Sequence, residues 1–166
     1  MAKEQSYGIC PYTIILGNFF VLLNKTSEES YYNFFKGKIE EGETTEQCAQ
    51  REFFEETGVK VDSKDFEDYF FQKSSRKDVG IFLVDWARYQ QFPFYFQEKE
   101  IWSATWVRLK SIEVSKNQQE IINSIELLFK PRFQQLRNIC FPTANINNIN
   151  ELTKNDRTNK FSSVKK

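Results

Sequence analysis

Apolar and aromatic residues recur in short runs through residue 109, separated by Gly, Pro and charged residues, and this pattern predicts β-strands. The predicted strands are 7–16, 19–23, 31–36, 68–73, 79–88 and 101–109. Gly17 and Asn18 separate the first two runs and predict a hairpin turn, because both residue types tolerate turn conformations. A sheet therefore accounts for most of the apolar positions in this part of the chain.

Two other segments place apolar residues at helical spacing. The first begins after Gly42, where Thr44 or Thr45 can cap the helix, and it ends at Gly58. Its apolar side carries Cys48, Ala49 and Phe53. The second helix, 117–136, should be kinked or divided at Pro131. Its apolar residues are Ile121, Ile122, Ile125, Leu128, Phe129, Phe133 and Leu136.

The order of these elements predicts a mixed α/β domain, since strands lie on both sides of the first helix and a last helix follows them. We place this domain at residues 1–137. Residues 138–166 are rich in Asn and have few apolar side chains, so we expect a loosely ordered C-terminal tail.

Three carboxylates crowd one face of the first predicted helix. Glu52, Glu55 and Glu56 are spaced i, i+3 and i+4, so they are neighbours on a helix and repel one another. A solvated charged face is the ordinary explanation for such a run. A metal site is the sharper one, because hard cations such as Mg²⁺ prefer oxygen ligands of this kind, often completed by substrate phosphates.

Composition excludes several other kinds of chemistry. The absence of His removes Ser-His and Cys-His catalysis and His-ligated zinc, and leaves acid–base work to Glu, Asp, Lys or Tyr. Lys+Arg and Asp+Glu balance at 23 each, so no overall field attracts nucleic acid or an acidic membrane.

The three cysteines, Cys10, Cys48 and Cys140, have no disulfide or metal spacing, and Cys48 is expected to be a small buried residue. The apolar N-terminal run is broken by Pro11 and Gly17 and is too short for a membrane span. We therefore expect an intracellular, cytoplasmic protein without a membrane partner.

The segment 37–59 matches the pattern Gx5Ex7REUxEExGU, in which U is a bulky apolar residue. The matching residues are Gly37, Glu43, Arg51, Glu52, Phe53, Glu55, Glu56, Gly58 and Val59. This segment resembles the Nudix box, and the chain is identified on it as a member of the Nudix hydrolase family. The resemblance implies a loop–helix–loop motif on a mixed sheet in an α/β/α sandwich. It also implies Mg²⁺- or Mn²⁺-dependent hydrolysis of a nucleoside diphosphate linked to another group.

The same resemblance assigns roles to individual residues. It implies that Glu52, Glu55 and Glu56 bind the metal, and that the carbonyl of Gly37 is a further ligand or shapes the loop. Arg51 is expected among the catalytic residues. It should form a pair with Glu43 that holds the loop against the helix. Phe53 and Val59 are expected in the core.

Residues 33–39, which lead into the box, are similar to the FPKGK(I/V) segment of mRNA-decapping Nudix enzymes of the Dcp2 type. Phe34, Lys36, Gly37, Lys38 and Ile39 match, and Phe35 replaces the proline. Lys36 and Lys38 are therefore candidate substrate-binding residues, and a capped RNA, with release of 7-methyl-GDP, is a candidate substrate. A small-nucleotide pyrophosphohydrolase and a non-catalytic Nudix-fold binding subunit are the alternatives.

Further along, residues 98–106 resemble the EIxxxxW segment of the same group. The resemblance makes Glu100 a further metal ligand or general base, with Glu98 as its competitor. The aromatic run 92–96 either stacks a nucleobase or belongs to the core. The last helix, which carries Lys130, Arg132 and Arg137, either binds RNA or simply packs on the sheet.

Overall fold

The computed structural model describes the backbone of residues 2–140 and the side chains of residues 2–130. The six strands are Glu4–Ile15 (β1), Asn18–Lys25 (β2), Phe35–Lys38 (β3), Phe66–Gln72 (β4), Lys77–Asp85 (β5) and Ser103–Arg108 (β6). The helices are Thr45–Thr57 (α1) and Gln119–Cys140 (α2). Short 3₁₀ turns occupy Ser63–Asp65, Trp86–Arg88 and Lys116–Gln118.

The strands form one mixed sheet in the order β4-β5-β1-β2-β6, and β3 pairs with the N-terminal half of β1. The β1–β5 pair is parallel, whereas the other pairs are antiparallel. Because β1 is long, its first half holds β3 and its second half holds β2. The strand that leads into the 37–59 segment therefore lies directly against the centre of the sheet.

Each face of the sheet is covered by one helix, because successive side chains of a strand point to opposite faces. On one face, Ile9 of β1 and Phe82 of β5 pack with Cys48, Ala49 and Phe53 of α1. The other core contains Cys10, Tyr12, Val21, Leu23, Ile81, Leu83 and the α2 residues Ile121, Ile122, Ile125 and Phe129. The predicted α/β/α sandwich with a mixed sheet is thus confirmed, as is the burial of Phe53 and Val59.

The local signals at α1 are confirmed in detail. Thr44, rather than Thr45, is the N-cap: its hydroxyl accepts from the Gln47 N–H, and the Gln47 side chain accepts from the Thr44 N–H. The helix ends at Gly58, whose φ of +74° is the left-handed conformation that favours glycine.

Several predicted boundaries were wrong. The strand predicted at 31–36 begins only at Phe35, and the residues before it form isolated bridges to β2 and to Val114. The strand predicted to reach Arg88 ends at Asp85, because the Asp85 side chain accepts from the Ala87 N–H and starts a 3₁₀ turn.

The last helix is not divided at Pro131 and continues to Cys140, past the predicted start of the tail. The rest of that predicted tail, 141–166, lies outside the described residues. Within the part that the structure describes, neither helix has the length and apolar character needed to cross a membrane.

Candidate active site

Helix α1 presents the three predicted metal-binding carboxylates in very different surroundings. Glu56 is buried with 6% of its surface exposed, whereas the side chains of Glu52 and Glu55 are 15% and 52% exposed. The cluster therefore runs from the protein interior at Glu56 to solvent at Glu55. Such a gradient lets a ligand enter from one side and meet a carboxyl group that is shielded from water.

Strand β3 lies directly against this cluster at Gly37. A Cβ atom added to Gly37 would lie 2.0 Å from the carboxylate carbon of Glu52, so only glycine permits this approach. The Gly37 carbonyl accepts a 3.5 Å hydrogen bond from the Cys48 thiol. Cys48 is fully buried, as predicted, and burial raises the pKa of its thiol to about 12, so it stays protonated.

Arg51 joins the loop to the helix, as the family resemblance implied. Its Nε donates to Glu43 at 2.6 Å, and its Nη2 donates to the Lys38 carbonyl at 2.9 Å. Its Nη1 contacts Glu52 at 2.7 Å and Glu55 at 3.3 Å. The guanidinium thus holds the loop in place and partly offsets the charges of Glu52 and Glu55.

The electrostatics of the cluster reflect crowding of like charges. Burial, together with the charges of Glu52, Glu100 and Glu55, raises the pKa of Glu56 to about 8, and the charge of Lys36 opposes this shift. Burial also raises the pKa of Glu52, and Arg51 opposes that shift. The protein alone therefore stabilises the negative charge of Glu56 poorly.

The predicted substrate-binding lysines flank Gly37 on β3. Lys38 is exposed, whereas Lys36 is half-buried and pairs with Gly8 of β1. Burial lowers the pKa of Lys36 to about 8, with a smaller contribution from the charge of Lys77, while Glu56 opposes this shift.

The loop that carries Glu98 and Glu100 is bound to the end of α1. The Tyr95 N–H donates to the Thr57 carbonyl at 2.8 Å, and the Gln97 N–H donates to the Glu56 carbonyl at 3.1 Å. These bonds satisfy carbonyls that a helix leaves unpaired at its C terminus. Glu100 is solvent-exposed, and its charge raises the pKa of both Glu52 and Glu56.

The aromatic run 92–96 contains two residues that belong to the core and two that are exposed. Phe94 stacks on Trp86 at 5.0 Å and on Phe96 at 5.0 Å, so these two phenylalanines pack against the α1 core. Phe92 and Tyr95 are 46% and 73% exposed.

Helix α2 packs its apolar face on the sheet, which accounts for the pattern at its buried positions. Lys130 is exposed, while the side chains of Arg132 and Arg137 lie outside the described part of the chain.

Two residues near the site were missed by the sequence analysis. Gln118 is 1% exposed, accepts from the Phe34 N–H at 2.9 Å and donates to the Asn33 side chain at 3.1 Å, so it fixes the approach to β3. No local pattern indicates a contact between residues so far apart. Trp102 is 57% exposed beside the Glu100 loop. Its position two residues after a candidate catalytic residue is the one signal for it in the sequence.

The carboxylate cluster fits a divalent cation in its donor chemistry but not in its present arrangement. Among the described residues, no group of three His, Cys, Asp or Glu side chains is arranged as a ready metal ligand set. The donors nevertheless fit Mg²⁺ or Mn²⁺ in chemistry, since they are carboxylate oxygens, and their mutual repulsion favours a cation between them. Arg51 contacts one carboxylate oxygen of Glu52 and one of Glu55.

A family model for the NUDIX domain matches residues 13–128, which include the whole of the β3–α1 loop, α1 and the Glu100 loop. The chain belongs to the Nudix family. A Nudix relative named NAD-capped RNA hydrolase NudC, from Haemophilus influenzae, is 35% identical over 113 residues. That match covers 61% of this chain and only 40% of the relative's length.

Solved structures with the same Nudix fold are more distant in sequence. The chain resembles an Ap4A hydrolase of C. elegans with a TM-score of 0.58 and 17% identity, covering 76% of this chain and 97% of the other. It also resembles the NUDIX domain of Shewanella oneidensis NrtR, solved with ADP ribose, with a TM-score of 0.58 and 16% identity. That match covers 78% of this chain and 90% of the other. At these identities the likeness concerns the fold alone.

Proposed function

We propose that this chain is a Mg²⁺- or Mn²⁺-dependent pyrophosphohydrolase that cleaves a nucleoside diphosphate linked to another group. The observation that carries the proposal is the graded carboxylate cluster of Glu52, Glu55 and Glu56, with Gly37 packed directly on Glu52. A solvated helix face would not explain why one of these carboxylates is buried and raised in pKa.

Each residue of the site has its own role in the proposed reaction. Glu52, Glu55 and Glu56 hold the cation, with the Gly37 carbonyl as a further candidate ligand. When bound, the cation neutralises charge on the diphosphate oxygens and acidifies the attacking water. Lys36 and Lys38 bind the phosphates from the β3 side of Gly37.

Glu100 completes the proposed reaction by taking the proton of the attacking water as a general base. The water oxygen forms a new bond to phosphorus, the P–O bond of the anhydride breaks, and the leaving phosphate takes the electron pair. Arg51 acts as a positioning residue, since it fixes Glu52 and the Lys38 carbonyl in one arrangement.

For the substrate, we propose the diphosphate of a 5′-capped RNA. Residues 33–39 resemble the segment that leads into the box in mRNA-decapping Nudix enzymes, and the curated relative is named for NAD-capped RNA. These two observations concern different caps but share an RNA joined to a nucleotide through a diphosphate. They support the class of substrate and not the identity of the cap.

A substrate panel tests the proposal. Purified protein with Mg²⁺ or Mn²⁺ would be mixed with 7-methylguanosine-capped RNA, NAD-capped RNA, dinucleoside polyphosphates, ADP-ribose and nucleoside triphosphates. We expect cleavage of a capped RNA, with 7-methyl-GDP released from the first substrate or nicotinamide mononucleotide from the second. Cleavage of small nucleotides alone would replace the RNA proposal by a small-nucleotide hydrolase. If no diphosphate is turned over, the chain is a non-catalytic Nudix-fold binding subunit.

A further inference from the structure

A groove on the face of the sheet away from α1 has no role in the proposed reaction. It encloses about 430 Å³ between the end of β2, residues 30–32 and the connection from β6 to α2. Val107 and Ile112, which form part of its lining, belong to the core under α2. The rest of the lining consists of Lys25, Ser30, Tyr31, Tyr32, Arg108, Lys110, Ser111 and Glu113.

The charges and rings of this groove suit a ligand with phosphates and flat bases. Lys25 and Lys110 provide two cations, and Glu113 is the one carboxylate of the lining. The lining also includes Arg108, whose Nη2 donates to the Asn18 side chain at 3.1 Å. The Lys25 ammonium lies 4.9 Å from the ring centre of Tyr32. The ring of Tyr31 is free for stacking, because this residue is 62% exposed.

The walls of the groove are held by hydrogen bonds of backbone and side-chain groups. The Ser115 N–H donates to the Tyr32 carbonyl at 3.1 Å, and the Asn33 side chain donates to the Tyr31 carbonyl at 3.0 Å. On the other wall, Ser111 has a φ of +52°, and its N–H donates to the Glu126 carboxylate at 3.2 Å. The groove is therefore formed before any ligand binds, which lowers the entropic cost of binding.

The groove is also connected to the candidate active site along the margin of the sheet. The Trp102 N–H donates to the Lys25 carbonyl at 2.8 Å, and Trp102 follows Glu100 by two residues. The backbone of Lys25 in the groove is therefore bound to the segment that carries Glu100.

We propose that this groove binds the single-stranded body of an RNA, with its phosphates on Lys25 and Lys110 and a base stacked on Tyr31. This inference rests on the proposal that the substrate is a capped RNA. Aromatic side chains interspersed with cations are the usual means of binding single strands without reading their sequence. A bare phosphate or an acidic peptide would use the cations but leave the tyrosine ring without a function.

The test is binding of a fluorescent oligouridine with a 5′-hydroxyl, measured by anisotropy in a salt series. Tyr31→Ala should weaken binding roughly tenfold, the effect of removing one base–aromatic stack, whereas Tyr31→Phe should bind like the wild type. Lys110→Gln should reduce the slope of log Kd against log salt by about 0.7, the value for one single-strand phosphate contact. Lys64→Gln, which changes an exposed lysine outside the groove, is the matched control.

Three results would overturn the groove assignment. The wild type could fail to bind oligouridine, Tyr31→Ala could bind as tightly as Tyr31→Phe, or polyglutamate could displace the RNA at equal concentration. Turnover of a diphosphate without oligouridine binding would reject the groove and retain the hydrolase. Binding that depends on Tyr31 without turnover of any diphosphate would reject the hydrolase and retain the groove.

Discussion

At the scale of single residues, the site depends on the contrast between Glu56 and its neighbours. Glu56 is buried and raised in pKa, while Glu55, one residue before it, is half-exposed and bound to Arg51. Burial of a carboxyl group without a bound cation is costly, so proteins retain it mainly where a function requires it.

Glu56→Gln should lower kcat roughly 100-fold or more while the domain stays folded. The amide has the same shape as the carboxyl group but cannot balance the charge of a cation, and losses of this size follow removal of one electrostatic group at a reacting centre. Steady-state kinetics and circular dichroism provide the two readouts. A variant with wild-type kcat would show that Glu56 does not bind the metal.

The downstream carboxylate can be identified by comparing Glu100→Gln with Glu98→Gln. We expect the first to lower kcat about 10²- to 10⁴-fold, the range for loss of a general base, and the second to have a small effect. Both residues lie exposed on the same loop, so each variant controls for effects of the other on loop structure. A large loss only in Glu98→Gln would reverse the assignment.

Sequence alone located the carboxylates but not their environments. The spacing of Glu52, Glu55 and Glu56 is a local property, so the sequence alone predicts that they share one face of a helix. Whether each carboxylate is buried depends on β3 and the Glu100 loop, which reach α1 from distant parts of the chain. The same reason explains why the Gln118 contact to Phe34 was missed.

At the scale of elements, α1 is stabilised at both ends by different means. Its N terminus is closed by the Thr44–Gln47 capping box, and its last carbonyls accept N–H groups from Tyr95 and Gln97. The N-cap is a local feature, and the sequence predicted it as either Thr44 or Thr45. The contact at the C terminus is tertiary, and nothing in the helix sequence indicates it.

Thr44→Ala should lower the free energy of unfolding by about 1 kcal/mol, the usual cost of losing an N-cap side chain. For a domain of this size the melting temperature should fall by about 2–4 °C. Thr45→Ala is the control, because the Thr45 hydroxyl contacts only the adjacent Glu46 side chain and does not cap the helix. Equal losses in the two variants would contradict the capping role of Thr44.

At the scale of the whole molecule, the family and the layer order followed from the sequence, but the order of the strands did not. The 37–59 pattern implied the sandwich, and the structure confirms it with one helix on each face. The parallel pairing of β1 with β5 joins segments without any shared local pattern, so only the folded chain reveals it.

Divalent cations should stabilise the folded molecule, because they bind the native carboxylate cluster and not the unfolded chain. At a Mg²⁺ concentration of about 100 times Kd, the gain is about 2.7 kcal/mol, visible as a higher melting temperature that EDTA reverses. Glu56→Gln should abolish most of this shift. Glu41→Gln, which changes an exposed loop residue, should retain it. An identical shift in both variants would place the cation elsewhere.

The position of β1 also determines when the site can form during synthesis. The first half of β1 pairs with β3 on one side and with β5 on the other, so Glu4 finds Lys77 only after most of the domain has left the ribosome. Contacts between such distant segments form slowly, because closing the intervening chain has an entropic cost. We therefore expect α1 to form early and the catalytic pocket to assemble late, so that a chain truncated before β5 has its complete Nudix box and no working site.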